Sequence, residues 1–409
     1  MNILLVNHYA GSNKHGMEYR PYYLSREWVK MGHKVTIIAS SYSHVRTKQP
    51  EITEKWTNET IDGIDYIWVE TPLYDGNGAK RVLNIFSFVK DLYMNASKIV
   101  KEISPDIVIA SSTYPLDIYP ASKIAKMARA KLIFEVHDLW PLTPMELGNM
   151  SKFHPFIMTM QKGENDAYKK ADMVVSLLPK AKEHMISHGM DPAKFQFLPN
   201  GIVTEDWENA NEEIPKEHIE LITKLKNEGK FLVGYAGTQG IANALEYLLD
   251  VAKIMQDKPI SFVLVGKGTE RDSLIQRTKE MGLTNIHFLP VINKDAIPDF
   301  LTRMDALYIG WRRSTLYRFG VSPNKLLDYM MASKPIIHSI EAGNDLVKEA
   351  NCGVSVAPED PVLISEAIQQ IFELTDEERK RLGANGKKFV MENHDYRVLA
   401  ERFIKLMNQ

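Results

Sequence analysis

The chain has 409 residues, 44% of them hydrophobic and 25% charged, with 50 Lys+Arg against 52 Asp+Glu. That length predicts two domains, and the composition excludes disorder and fibrous repeats. The charge balance lacks the basic excess of a nucleic-acid binder. A single cysteine, Cys352, can build neither an internal disulfide nor a Cys-rich zinc site, which points to a reducing compartment.

In chain order, Ile3 to Val6 reads as a strand with no basic region before it, unlike a signal peptide. Glu18 to Met31 reads as a helix stopped by Gly32-His33, and Val35 to Ala39 as the next strand. Further strands are expected at Ile64–Val69, Ile107–Ala110, Leu132–Val136 and Met173–Ser176. Their branched runs without clean alternation suit strands covered on both faces, the mark of a parallel sheet flanked by helices. Lys80 to Ile103 is a helix candidate, with Val82, Phe86, Val89, Tyr93, Ala96 and Val100 expected in the core. Leu83 and Met94 project from its other side, and beside Lys80-Arg81 that edge suits an anionic membrane surface or simple half-burial.

The acidic segment Asn209 to Lys226 reads as a linker, and the rhythm then restarts. Strands are expected at Phe231–Ala236, Ser261–Val265, Ile286–Leu289, Ala306–Ile309, Pro335–Ile340 and Gly353–Val356. The expected class is α/β, with two doubly wound Rossmann-like domains facing a cleft: 1–205, 206–392, and a C-terminal helix at 393–409 that crosses back to the first domain. Such sheets bind ligands beyond the carboxyl ends of their strands. No stretch approaches the roughly 18 apolar residues of a membrane span. A cytoplasmic protein is expected, with peripheral contact at the inner face of the plasma membrane left open.

The most informative segment is Gly320 to Lys334 (GVSPNKLLDYMMASK). Ser322 reads as a hydroxyl cap and Pro323 as the first helical residue, so the N–H groups of Asn324, Lys325 and Leu326 would attract a phosphate. Lys325 adds a full charge, and Asp328, three residues on, would meet the hydroxyls of a ribose. The alternative is a capped surface helix with a Lys–Asp pair. Gly237-Thr238 follow one strand and Gly266-Lys267-Gly268 the next, as phosphate-approaching turns or as plain connections. Arg312, Arg313 and Arg318 end another strand, as an anion site or a solvated loop. In the first half, His137-Asp138 end a strand as an acid–base pair or a satisfied core histidine. Gly11, Ser12, Glu18 and Arg20 follow the first strand, as polar contacts or a solvated helix start. HExxH, GxxxxGK[ST] and GxSxG motifs are all missing.

Together these segments resemble family 4 of the retaining glycosyltransferases, which have two-domain GT-B architecture and use nucleotide-sugar donors. The likeness covers essentially the whole chain and rests on Gly32-His33-Lys34-Val35, His137-Asp138, Leu198-Pro199-Asn200-Gly201-Ile202, the two glycine turns and Ser322 to Tyr329. DLWP with SPNKLLDYM is similar to bacterial surface-polysaccharide enzymes, in particular N-acetyl-L-fucosamine transferases. The resemblance implies Asp328 as the ribose acid, and Lys325 with the first-turn amides on the diphosphate, assisted by Gly237, Thr238, Lys267 or Arg318. It places Val291 by the nucleobase, His137 toward the sugar, and Gly11, Ser12, Glu18, Arg20 and Asp138 on the acceptor side. Two departures stand out: Gly320 occupies the position of a common family glutamate, and the turn GTQGIANALE lacks the usual arginine and lysine.

The implied function is metal-independent, retaining transfer of a sugar from a UDP-sugar to a saccharide acceptor, lipid-linked, in O-antigen or capsule (lipopolysaccharide-type) synthesis, without cofactor or nucleic acid. A GT-B UDP-sugar 2-epimerase and a non-catalytic nucleotide-sugar-binding protein are the alternatives.

Overall fold

The computed structural model describes residues 1–409. The chain divides into two compact units, Met1–Gly201 with Tyr396–Gln409, and Ile202–Asp395. The division therefore falls before residue 205.

The first unit carries β1 (Asn2–Val6), β2 (Lys34–Ser40), β3 (Trp56–Ile61), β4 (Ile64–Val69), β5 (Ile107–Ala110), β6 (Lys131–Val136), β7 (Met173–Ser176) and β8 (Phe195–Phe197). Their order is β3-β4-β2-β1-β5-β6-β7-β8, and every pairing except β3–β4 is parallel. Two of these strands were not expected: β8, only three half-buried residues long, and β3, whose residues alternate between more and less exposed instead of forming an apolar run. Its signal is the Asp62-Gly63 turn, where both residues have positive φ (49° and 79°), as a two-residue hairpin requires.

The second unit carries β9 (Phe231–Ala236), β10 (Ile260–Val265), β11 (Ile286–Leu289), β12 (Ala306–Gly310), β13 (Ile336–Ser339) and β14 (Gly353–Val356), in the order β11-β10-β9-β12-β13-β14, all parallel. Alternate residues feed two cores. Leu232, Val263 and Leu307 pack on one face, and Val233, Phe262 and Tyr308 on the other. Burial on both faces explains the run of Val, Ile and Leu without polar alternation.

Two expectations need correcting. The segment read as a linker to residue 226 is a helix over Lys216–Asn227, with His218, Ile222 and Leu225 buried in the second unit. Lys80–Ile103 is two helices, Ala79–Met94 and Ala96–Ile103, and its core face is Ile85, Phe88, Leu92, Ala96, Ile99 and Ile103, of which only Ala96 was expected inside. Phe86 and Tyr93, expected inside, are 42% and 43% exposed. At 100° per residue the true face lies roughly 90° from the expected one. The sequence has two apolar stripes here, and packing chose the one with Phe88 and Leu92. The C-terminal helix Tyr396–Met407 lies on the helix Arg20–Lys30, where Trp28 meets Phe403 edge-on at 5.3 Å and donates its indole N–H to the Ala400 carbonyl. No helix is long and apolar enough to cross a membrane.

Candidate functional site

In the second unit the sheet order reverses at β9, which pairs β10 on one side and β12 on the other. Doubly wound sheets bind ligands beyond the carboxyl ends of their strands at such a point. The chain leaves β9 through Gly237, whose φ of +152° belongs to glycine, and a Cβ there would lie 2.6 Å from Lys325 Cε. Gly266, after β10, is packed still closer, with its Cβ position 1.9 Å from the Gly237 carbonyl. Gln239 N donates to Lys267 O at 2.9 Å, so the two turns are locked together.

Against them stands the helix Asn324–Met331. Its N-cap is Pro323, so the proline precedes the helix rather than opening it, and a proline side chain offers the first turn no acceptor. The amides of Asn324, Lys325 and Leu326 thus lack intrahelical acceptors, and the positive end of the helix dipole is left for an anion. Tyr329 fixes the approach: its hydroxyl accepts from Ala236 N at 2.8 Å and donates to Ala236 O at 3.1 Å. One turn earlier, Lys325 Nζ donates to the Tyr235 hydroxyl and to Asn243 Oδ1, both at 2.8 Å. These are neutral oxygens, so the ammonium has no carboxylate partner. Burial lowers its pKa to about 8. Asp328 is half-buried, and burial pushes its carboxyl up to about 6 while Lys294 and the Trp207 indole pull it back down.

The remaining expected residues are spread more widely. Thr238 and Lys267 are exposed on the two glycine turns, and Val291 is exposed on the loop after β11. Arg318 is exposed and donates to the Thr315 carbonyl. Arg312 and Arg313 do not form a free anion cluster: Arg312 pairs with Glu246, and Arg313 with Glu341 at 3.0 Å.

In the first unit, His137 follows β6. Its Nε2 lies 3.2 Å from Glu135 Oε2 and 3.0 Å from Ser111 Oγ. Burial alone would lower the imidazole pKa, but the hydrogen bond and charge of Glu135 raise it. Glu135 is itself buried, which would raise its pKa, yet Arg20, His137 and Ser111 hold it well below the usual carboxylate range. Asp138 is exposed beside them, and Glu18 is half-exposed.

Three residues expected on the acceptor side are buried. Arg20 is 1% exposed and fully engaged, donating to Glu135 at 3.0 and 3.1 Å and to the Pro199 carbonyl at 2.6 Å. It ties Glu135 to the loop after β8 behind His137. Gly11 and Ser12 lie inside their own loop: Gly11 packs on the backbone of Gly16 and Met17, and Ser12 Oγ accepts from Lys14 N and His15 N.

Sequence reading missed Tyr235, Asn243, Tyr329 and Trp207 in one unit, and Ser111 and Glu135 in the other. Two of these had a signal. Tyr329 follows Lys325 by four, one helical turn, and Glu135 precedes His137 by two within an apolar strand, the spacing that puts both on one face.

A strand-end glycine turn, a lysine without a carboxylate partner and a proline-preceded helix start meet at the reversal point of the second unit's doubly wound sheet. The chain matches the family model Glycosyltransferase Family 4 over residues 15–206 and Glycosyl transferases group 1 over residues 219–389, and it belongs to the group 1 glycosyltransferases. It is 21% identical over 329 residues to WcaI of Escherichia coli, assigned to colanic acid biosynthesis (78% of this chain, 79% of the other). It is 23% identical over 305 residues to the glycosyltransferase WbjE of Pseudomonas aeruginosa (72% and 73%). Among solved structures, Anabaena HepE in complex with UDP aligns over 100% of both chains at 14% identity and a TM-score of 0.68. Sucrose-phosphate synthase from Thermosynechococcus elongatus covers 100% of this chain and 98% of its own at 15% identity and 0.68. These likenesses establish the GT-B fold.

Proposed function

We propose that the protein transfers a sugar from a UDP-sugar to a saccharide acceptor with retention of configuration, in the assembly of a bacterial surface polysaccharide. One observation carries the donor half of this reading: the Lys325 ammonium, without a carboxylate partner, in the first turn of a helix whose N-cap is a proline, against Gly237. The leaving group of such a transfer is a nucleoside diphosphate. Its developing charge is met by a fixed cation and fixed amide dipoles, which need no reorganisation during the reaction. The binding of UDP by the HepE relative supports the choice of nucleotide. Asp328 accepts from the ribose hydroxyls, and the loop at Val291 passes the base. Lys267, Thr238 and Arg318 are the further groups available to the phosphates.

No protein nucleophile is assigned. The donor phosphate takes the acceptor's proton as the new bond forms on the face the diphosphate leaves. No metal or other cofactor enters this scheme. His137, its charge sustained by Glu135, is the candidate contact to the sugar. Asp138 and Glu18 are the polar groups left for the acceptor. The resemblance to surface-polysaccharide enzymes names N-acetyl-L-fucosamine as the sugar to try first. A lipid-linked acceptor at the membrane surface is supported by the helix Ala79–Met94, which exposes Leu83, Phe86, Tyr93 and Met94 beside Lys80 and Lys90.

A thermal-shift panel of UDP, GDP, ADP and NAD tests the donor class, because a ligand that binds only the folded chain raises its apparent stability. UDP is expected to give the largest shift and NAD none; a GDP or ADP preference would refute the assignment. Incubation with UDP-sugar but no acceptor separates transfer from the 2-epimerase alternative, which would convert the donor to its epimer. UDP binding without any release of UDP, across donors and acceptors, would favour a sensor.

A further inference from the structure

A second cluster of chemistry-bearing side chains lies in the first unit, outside the groups assigned above. Glu164 projects from the helix Pro155–Lys170, and His184 from the helix Lys182–Ser187, whose C-cap is His188. One ligand atom from each of the three lies within 4.8 Å of the others. His184 and His188 are four residues apart, one turn, and their rings sit 4.3 Å centroid to centroid on one side of the helix. We propose that Glu164, His184 and His188 bind one divalent transition-metal ion of the zinc type.

Four features carry this. Glu164 is 2% exposed, and the one basic group paired with it is His184, whose Nε2 stands 3.4 Å from Oε1. A buried carboxylate without lysine or arginine is the position a cation fills at least desolvation cost. Its two oxygens are oriented by neutral donors, Tyr168 hydroxyl at 2.9 Å and Gln161 Nε2 at 2.7 Å. His188 Nδ1 lies 2.8 Å from the His184 carbonyl. A carbonyl only accepts, so Nδ1 carries the proton and Nε2 keeps its lone pair, as in metal-bound histidines whose other nitrogen donates to an oxygen. Tetrahedral zinc with bonds of about 2.05 Å sets its ligand atoms about 3.3 Å apart. The His184–Glu164 separation already matches, and rotation of the half-exposed His188 closes the remainder.

Two imidazoles and one carboxylate favour zinc, cobalt or nickel over magnesium and calcium, which take all-oxygen shells. Water from the half-exposed side completes the fourth position. Such an ion would tie the short helix after β7 to the long helix before it. Glu164 also lines a small cavity with Ser112, Asp138 and Trp140, so the ion would stiffen the wall behind Asp138.

The test uses the full chain, freed of metal by a chelator. Titration calorimetry and thermal shift with zinc, and with magnesium as control, are run on the parent, H184A and H188A. Visible absorption of the cobalt-loaded parent reports the geometry. Expected are one zinc bound per chain, a rise in melting temperature absent with magnesium, affinity at least about tenfold weaker in each variant, and the intense band of tetrahedral cobalt. Zinc binding of equal strength in both variants would overturn the proposal, since the chain has 12 histidines that can hold zinc at the surface. So would absence of binding at hundred-micromolar zinc. Should the variants fail to fold, the parent's cobalt spectrum decides: a weak octahedral band overturns the site.

Discussion

Replacing Lys325 by methionine should move stability and donor binding in opposite directions. Folding lowers the ammonium's pKa from 10.5 to about 8 through burial. Between those values the unfolded chain binds more protons, so stability rises with pH across that window. Below pH 8 the full cost of holding the charge is present, about 3 kcal/mol. Methionine removes that cost but leaves the Tyr235 and Asn243 oxygens without their donor, about 1 kcal/mol each. The net expectation is a ligand-free protein stabilised by about 1 kcal/mol. UDP affinity should fall about 10- to 100-fold, the usual worth of a hydrogen bond to a charged group. Calorimetry from pH 7.5 to 9.5 adds a second reading. The diphosphate loses its last proton below this range, so parental affinity should drop about tenfold per pH unit above 8 as Lys325 deprotonates, and Lys325→Met should be flat. A variant that is destabilised yet keeps parental UDP affinity and pH slope would refute the reasoning.

Asp328→Asn should raise donor KM about tenfold with kcat near parental; parental donor affinity should weaken as pH falls through about 6, and the variant should lose that dependence. Gly237→Ala forces a Cβ to 2.6 Å from Lys325 Cε at a positive φ, so UDP affinity should drop with Lys325 intact, as calorimetry would read. Glu135→Gln leaves the Arg20 guanidinium buried without its partner, at a cost of about 3–5 kcal/mol in chemical denaturation. Because folding depresses the Glu135 pKa, its contribution is full above the unfolded value of about 4.3 and lost as pH falls through the lowered one. His137→Asn should lower kcat with little change in UDP affinity, which a paired kinetic and calorimetric measurement would show.

The parallel strands other than β8 were legible because most are short apolar runs buried on both faces, and β9 through β14 fall where those runs are; β8, three half-buried residues with a glutamine at its centre, carries no such run. The failures have a common cause. β3 faces solvent with every second residue, and the helix Ala79–Met94 carries two apolar stripes, so the pattern alone does not say which side the protein covers. The helix that carries Lys325 and Asp328 was legible because a proline-marked helix start is a local signal. Their supports were not. Tyr235 and Asn243 reach Lys325 from 90 and 82 residues away in sequence, and the burial of Arg20 depends on Glu135 and the Pro199 carbonyl, contacts made only by the sheet.

The central claim is most directly tested by a crystal structure of the protein soaked with UDP. The account predicts the diphosphate within hydrogen-bonding distance of Lys325 Nζ and the amides of Asn324 to Leu326, with the ribose on Asp328. Nucleotide density in the first unit, with the start of the helix Asn324–Met331 bare, would contradict it.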